Sequence, residues 1–198
     1  MKTYNLTLLF AIVFFFSSCK EEKKADISES EVEMNEEAET ETVEENEEVT
    51  KITFNLEPKS GSTTNGKVTF IEENGEVSMK ANISGISEGK HAIHIHEKAD
   101  CSSDDGKSTG GHWNPTAQPH GKWGDEGGYH KGDIGNFEAD AQGNAEITMS
   151  TDEWCIGCED ENKNILGKAI IVHEGVDDFT SQPSGAAGTR ISCGGIIQ

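Results

Sequence analysis

The sequence predicts an all-β domain, a sandwich or closed barrel of about eight short strands interrupted by two long loops. Three observations predict it. From Lys51 onward, short segments alternate apolar and polar residues, the period-2 pattern of half-buried strands. Asn-Gly and Gln-Gly-Asn turns separate several of them. No segment sustains the 3.6-residue apolar repeat of an amphipathic helix.

The strands follow in order. ITFNLE begins at Ile52, GKVTFIEE at Gly66 and EVSMKANISGI at Glu76. Asn74-Gly75 between the last two tolerates the positive φ of a type I′ hairpin turn. HAIHIHE begins at His91, GNFEAD and NAEITMS flank the Gln142-Gly143-Asn144 turn, and KAIIVHE and TRISCGGII close the series. Two Gly/Pro-rich connections remain, residues 98–132 and 175–188, and each begins just after a strand that ends in His-Glu. Structureless loops of this length are uncommon in compact domains unless they are functional or disordered.

The N-terminal part reads differently. Residues 1–19, MKTYNLTLLFAIVFFFSSC, have the layout of a secretory signal, and the ending FSSC resembles a bacterial lipoprotein signal with Cys19 as the lipidated residue. The apolar run from Leu6 to Phe16 is short of the ~20 residues that span a bilayer. Residues 20–50 carry fourteen acidic residues against three lysines and no aromatic residue, the composition of a solvated tether. The chain's formal charge is −21; the tether supplies −11, Lys2 +1, and the domain at 51–198 another −11. An acidic balance on both parts argues against nucleic acid as a partner. Lys20-Glu21-Glu22 resembles a surface-export signal of some Gram-negative lipoproteins. The expected location is therefore the cell envelope of a Gram-negative bacterium, as an outer-membrane lipoprotein that is periplasmic or surface-exposed. An exported domain can keep disulfides, and with Cys19 assigned to lipid, Cys101, Cys155, Cys158 and Cys193 allow three pairings.

The chemistry lies in the histidines. His94 and His96 are spaced i, i+2 on a strand, which places both imidazoles on one face, roughly 6.6 Å apart between α-carbons, where they can chelate one metal. His91 points to the other face and reads as a hydrogen-bonded packing residue. In residues 111–133, GHWNPTAQPHGKWGDEGGYHKGD, His112, His120, His130 and Asp133 form a donor set that satisfies a tetrahedral zinc with no open position. Zinc bound there would supply the folding energy that the loop lacks from packing.

Six motifs in order, HIHE, GHWNP, PHG, YHKGD, IVHE and TRISCG, resemble the copper/zinc superoxide dismutase family from about Ile52 to the C-terminus. The resemblance implies an eight-stranded Greek-key barrel or sandwich, immunoglobulin-like in outline, that dismutates superoxide to oxygen and hydrogen peroxide by cycling copper between Cu(II) and Cu(I). It implies copper at His94, His96, His112 and His173, and zinc at His112, His120, His130 and Asp133. His112 thus bridges the two metals, where the donor set alone gave it to zinc. Asp177 matches a carboxylate that links a copper histidine to a zinc histidine, and Arg190 matches the arginine that positions the anion beside copper. Cys101 and Cys193 match the family's disulfide. Monomers and homodimers both occur in the family.

Two features depart from the family. The second loop has no lysine, so any guidance of superoxide against the net negative domain falls to the metals, Arg190 and first-loop lysines such as Lys107, Lys122 or Lys131. Cys155 and Cys158 form a CxxC with no family counterpart. That motif can be a redox pair, half a metal site or a local disulfide; an exported location favours the disulfide. The reading is an enzyme protecting the envelope from superoxide, with a lipid-tethered copper/zinc scavenger as the alternative. A scavenger needs no anion-orienting group, so Arg190 favours the enzyme.

Overall fold

The computed structural model describes residues 49–198. The signal segment, Cys19 and residues 20–48 of the tether lie outside the described residues. Eight strands follow one another: β1 (Thr50–Pro58), β2 (Asn65–Glu73), β3 (Glu76–Ser84), β4 (Gly89–His96), β5 (Gly135–Ala139), β6 (Asn144–Thr151), β7 (Ala169–His173) and β8 (Arg190–Gly195). The described residues contain no α-helix, only a short 3-10 turn at Lys107–Thr109 in the first long loop.

All the pairings are antiparallel, in the order β5-β4-β7-β8-β1-β2-β3-β6. β1, β2, β3 and β6 make one sheet and β4, β5, β7 and β8 the other. The far end of β1 joins the two through Glu57 and Pro58 opposite Cys193 and Ser192. After the β1-β2-β3 meander the chain crosses to β4 instead of continuing to β6, the neighbour of β3; this is the Greek-key step. β5 and β6 lie together at the open side and nearly close the barrel.

Local chemistry accounts for the turns. Asn74 and Gly75 both have positive φ, 54° and 75°, and Glu73 pairs with Glu76, as a two-residue I′ hairpin requires. Between β5 and β6, the Asp140 carboxylate accepts from the backbone N–H of Gln142 and Asn144 at 2.9 and 2.8 Å. The core is the alternating set that the sequence patterns display, including Ile52 and Leu56, Val68 and Phe70, Met79 and Ile83, and Ile93 and Ile95, with Trp154 inserted from the β6-β7 connection.

β4 and β7 break the alternation. β7 is buried at every residue and β4 from His91 to His96. One face of these strands is core; the other, carrying His94, His96, Ile171 and His173, is also removed from solvent. The long loops at 97–134 and 174–189 belong to that side. Near Gly111 and Gly132 the first loop hydrogen-bonds along β4: Glu97 N–H donates to Gly111 C=O, Trp113 N–H to Ile95 C=O and Ile95 N–H to Gly132 C=O, at 2.8–3.0 Å.

Two disulfides complete the fold. Cys101–Cys193, 92 residues apart in sequence, ties the first long loop to β8. Cys155–Cys158 closes a three-residue step in the β6-β7 connection. Asn164 also braces that segment, accepting from Gly157 N–H and donating to Cys158 C=O, both at 3.0 Å. Chain-entropy loss in the unfolded state grows with loop length, to on the order of 4–5 kcal/mol for ~100 residues and about 2 kcal/mol for a loop of a few residues. Paired Cys101→Ser and Cys193→Ser substitutions should therefore lower the urea unfolding free energy about twice as much as paired Cys155→Ser and Cys158→Ser. An equal or reversed loss would show that loop closure does not set their relative contributions.

Candidate metal centre

Strand alternation places His94 and His96 on the loop-covered face of β4. His173, at the end of β7, joins them beside a register irregularity after Val172, across which it pairs with Arg190. The first loop brings in His112, which forms an antiparallel bridge with His96. His94, His96, His112 and His173 have ligand atoms within 4.8 Å of one another, and so do His112, His120, His130 and Asp133. His112 belongs to both sets, with ring centroids 4.0 Å from His94 and 5.7 Å from His130. All seven residues are at least 95% buried.

The outward nitrogens are satisfied. His94 Nε2 and His120 Nε2 lie 2.8 and 2.9 Å from the two oxygens of Asp177. His96 Nδ1 meets Gly110 C=O at 3.0 Å, and His173 Nδ1 meets Gly188 C=O at 3.4 Å. Such partners set ring orientation and tautomer.

The inward nitrogens are not. His94 Nδ1, His96 Nε2, His112 Nε2 and His173 Nε2 have no hydrogen-bond partner, and neither do His120 Nδ1 and His130 Nδ1. The last two lie 3.0 and 3.2 Å from Asp133 oxygens but are not aligned to hydrogen-bond with them. A buried polar atom left unpaired costs about 1–3 kcal/mol, and six in two clusters is the arrangement that metal ions satisfy. Four imidazoles suit copper, and three imidazoles with a carboxylate suit zinc.

The electrostatics agree with cation binding. Burial, reinforced by neighbouring histidines, holds His96 and His173 well below the ordinary imidazole pKa. Burial also brings His112 down to about 4, against the opposing pull of Asp133. For His120, burial is outweighed by the two flanking carboxylates, Asp133 and Asp177, which raise it to about 9. Burial disfavours the Asp133 and Asp177 carboxylates, yet their histidine partners hold both well below the usual carboxylate range. Two anions thus lie inside the cluster, and a cation at the inward nitrogens neutralises them.

Above the four-imidazole set lies a cavity of about 510 Å³, lined by His96, His112, His173 and Arg190. Arg190 Nη1 donates to Gly106 C=O at 2.9 Å and to Thr109 Oγ1 at 3.1 Å, which fixes the guanidinium at the cavity wall. Glu97 lines the same cavity. None of the three first-loop lysines does. Lys107 pairs with Asp105 at 2.9 Å, Lys131 pairs with Glu153, and Lys122 lines a separate cleft with Lys90 and Phe179.

His91 lies outside both ligand sets; its ring hydrogen-bonds His173 C=O at 3.2 Å and Ser87 C=O at 2.9 Å. Other supports were not singled out in the sequence. Asn136 on β5 donates to Asp177 C=O and accepts from Asp177 N–H, both at 2.8 Å. Gly185, at φ 65°, packs so tightly that a Cβ would overlap Asp177 Oδ1 and lie 2.6 Å from His120 Nε2. The carbonyls of Gly110 and Gly188 carry no side-chain signal at all.

Known proteins resemble this chain in sequence and fold. Residues 64–196 match the family described as copper/zinc superoxide dismutase. The chain is 38% identical over 136 residues to copper/zinc superoxide dismutase 2 of Aquifex aeolicus, covering 66% of this chain and 78% of that protein. It is 34% identical over 137 residues to an extracellular copper/zinc superoxide dismutase of Caenorhabditis elegans, covering 66% and 60%. Among solved structures, a double mutant of a superoxide dismutase-like protein from Bacillus subtilis superposes with a TM-score of 0.66 at 31% identity, over 74% of this chain and 97% of that one. With this fold and this paired donor set, the chain belongs to the copper/zinc superoxide dismutase family of oxidoreductases.

Proposed function

We propose that His94, His96, His112 and His173 hold copper, that His112, His120, His130 and Asp133 hold zinc, and that the pair dismutates superoxide in the cell envelope. The observation that carries the assignment is the set of six unpartnered buried imidazole nitrogens, divided between two clusters that share His112. Bound copper supplies a one-electron couple, so that one superoxide is oxidised to oxygen and another is reduced to peroxide. The protein's part is to admit, orient and protonate. Arg190 offers a fixed cation with paired donors beside His96, His112 and His173, where a small diatomic anion can be held. His112 Nδ1 is occupied on the Asp133 side at 2.8 Å. Its Nε2 would therefore be the ring atom held toward copper; it could hand a proton to the peroxide only while not bound to the ion, after taking that proton from solvent, and the second proton would also enter from solvent.

A lipid-tethered scavenger would use the same ligands without turnover. Arg190 speaks against it, because storage has no use for an oriented anion site. Hydrogen bonds to charged groups contribute about 1.5–3 kcal/mol, so Arg190→Ala should lower kcat/KM for superoxide by about 10- to 100-fold with both metals retained. His112→Ala should abolish turnover. A wild-type domain that holds copper and zinc but does not accelerate superoxide decay would leave the scavenger as the function.

Glu97 works against the substrate. It places an exposed carboxylate on the wall of the cavity, in a domain that is already net negative, and repels an approaching anion. Glu97→Gln should raise kcat/KM about two- to threefold at low ionic strength, and the gain should vanish near 1 M salt, where the Debye length falls to about 3 Å. A gain independent of salt would point to a local structural cause.

The envelope location rests on residues 1–50. The signal, the lipidated Cys19 and the acidic tether would hold the domain near a membrane, in the periplasm or outside the cell, as a monomer or a homodimer. The lipid chain would be its membrane partner. Fatty-acid labelling of the full chain in a Gram-negative host should give a labelled protein, and Cys19→Ala should remove the label. An unlabelled wild-type chain that stays in the cytoplasm would overturn the placement.

A further inference from the structure

Within the set of His112, His120, His130 and Asp133, His120 has no regular structure of its own to hold it. It sits between Pro119 and Gly121 in a stretch of the first loop without regular structure, and no other backbone group among the described residues pairs with its N–H or C=O. Both groups are taken up instead by one side chain from the second loop. Gln182 Oε1 accepts from His120 N–H at 2.9 Å, and Gln182 Nε2 donates to His120 C=O at 2.9 Å. The second loop holds the ring as well, through Asp177 Oδ1 at 2.9 Å from Nε2. His120 is therefore fixed at backbone and ring by one loop while its Nδ1 faces Asp133 on the other.

We propose that Gln182 is a positioning residue for the metal set of His112, His120, His130 and Asp133, clamping the His120 backbone so that Nδ1 is presented to the ion before it binds. This rests on the assignment of zinc to that set. A planar carboxamide suits the task because it matches the N–H and C=O of one residue at once, as a neighbouring strand would. Without it, both backbone groups turn to solvent and His120 is left with its ring contacts alone. Asp177 constrains where Nε2 lies but not the rotation of the residue about that contact, and tetrahedral zinc requires Nδ1 in a defined direction. Loss of partners that orient a metal ligand typically costs 10- to 100-fold in affinity. Gln182 acts through the backbone, which places its effect near the lower bound.

The test uses the full-length protein loaded with copper and zinc, with zinc release followed under a competing chelator and the site reported by Co(II) absorption after zinc is replaced. Gln182→Met keeps length and volume but removes both hydrogen bonds. Gln182→Glu keeps the acceptor for His120 N–H and loses the donor. We expect Gln182→Met to release zinc about tenfold faster, with altered Co(II) bands and unchanged copper content, and Gln182→Glu to fall between it and the wild type. Thermal unfolding of the metal-free variants should match the wild type. Unchanged zinc release in Gln182→Met would overturn the clamp, and so would metal-free unfolding that falls as far as the metal-loaded form. His130→Ala separates the two levels. If it still holds zinc as the wild type does, the site assignment fails and the clamp with it; if it loses zinc while Gln182→Met does not, the clamp alone fails.

Discussion

A buried imidazole needs something at each of its two nitrogens, and most of this molecule is arranged around meeting that need. Six imidazoles, each at least 95% buried, crowd together with ring centroids as close as 4.0 Å. For four of them, carboxylates or backbone carbonyls satisfy the outward nitrogen, and in every one at least one inward nitrogen is left for an ion. The rings meet tilted or edge to face, and the inward nitrogens find no hydrogen-bond partner in one another. Metal binding thus meets a need that burying these residues together creates.

That need explains why the two long loops lie where they do. The outer faces of β4 and β7 carry His94, His96, Ile171 and His173, all buried, so the strands lose their alternation and are covered on both sides. The first loop contributes ligands and the second contributes orientation. Asp177 joins them, touching His94 on β4 and His120 in the first loop with its two oxygens. A carboxylate shared between a histidine of each ligand set couples the sets mechanically, so a disturbance of the second loop reaches both. Asn136 and Gln182 then brace that coupling from opposite sides, one on the Asp177 backbone and the other on that of His120.

The surface chemistry is less cooperative. The domain repels anions at long range, its second loop has no lysine, and the first-loop lysines at 107 and 131 are spent on Asp105 and Glu153. Under the proposed function, attraction of superoxide would begin only at short range, at Arg190 and the bound metals. Glu153 is used twice, accepting from Tyr129 Oη at 2.6 Å as well as from Lys131, and Trp154 Nε1 donates to Lys131 C=O at 2.8 Å. The β6-β7 connection that carries Cys155 and Cys158 is in this way tied to the loop bearing His130, and the CxxC serves as a local disulfide beside that junction.

Much of this was legible in the sequence because it depends on local patterns. Alternation fixes which face of β4 carries His94 and His96, Asn74-Gly75 specifies its own hairpin, and six histidines arranged in ordered motifs announce a metal site. The departures were legible too, in the missing lysines and the extra CxxC. What only the tertiary structure decided depends on backbone groups and on residues distant in the chain. Gly110 and Gly188 act through carbonyls, which every residue has. Gly185 matters for the space beside Asp177, and Asn136 and Gln182 act on residues 41 and 62 positions away. A carboxamide on a strand or in a loop has no periodicity and no motif, and its role exists only once the chain has brought another residue's N–H and C=O within reach.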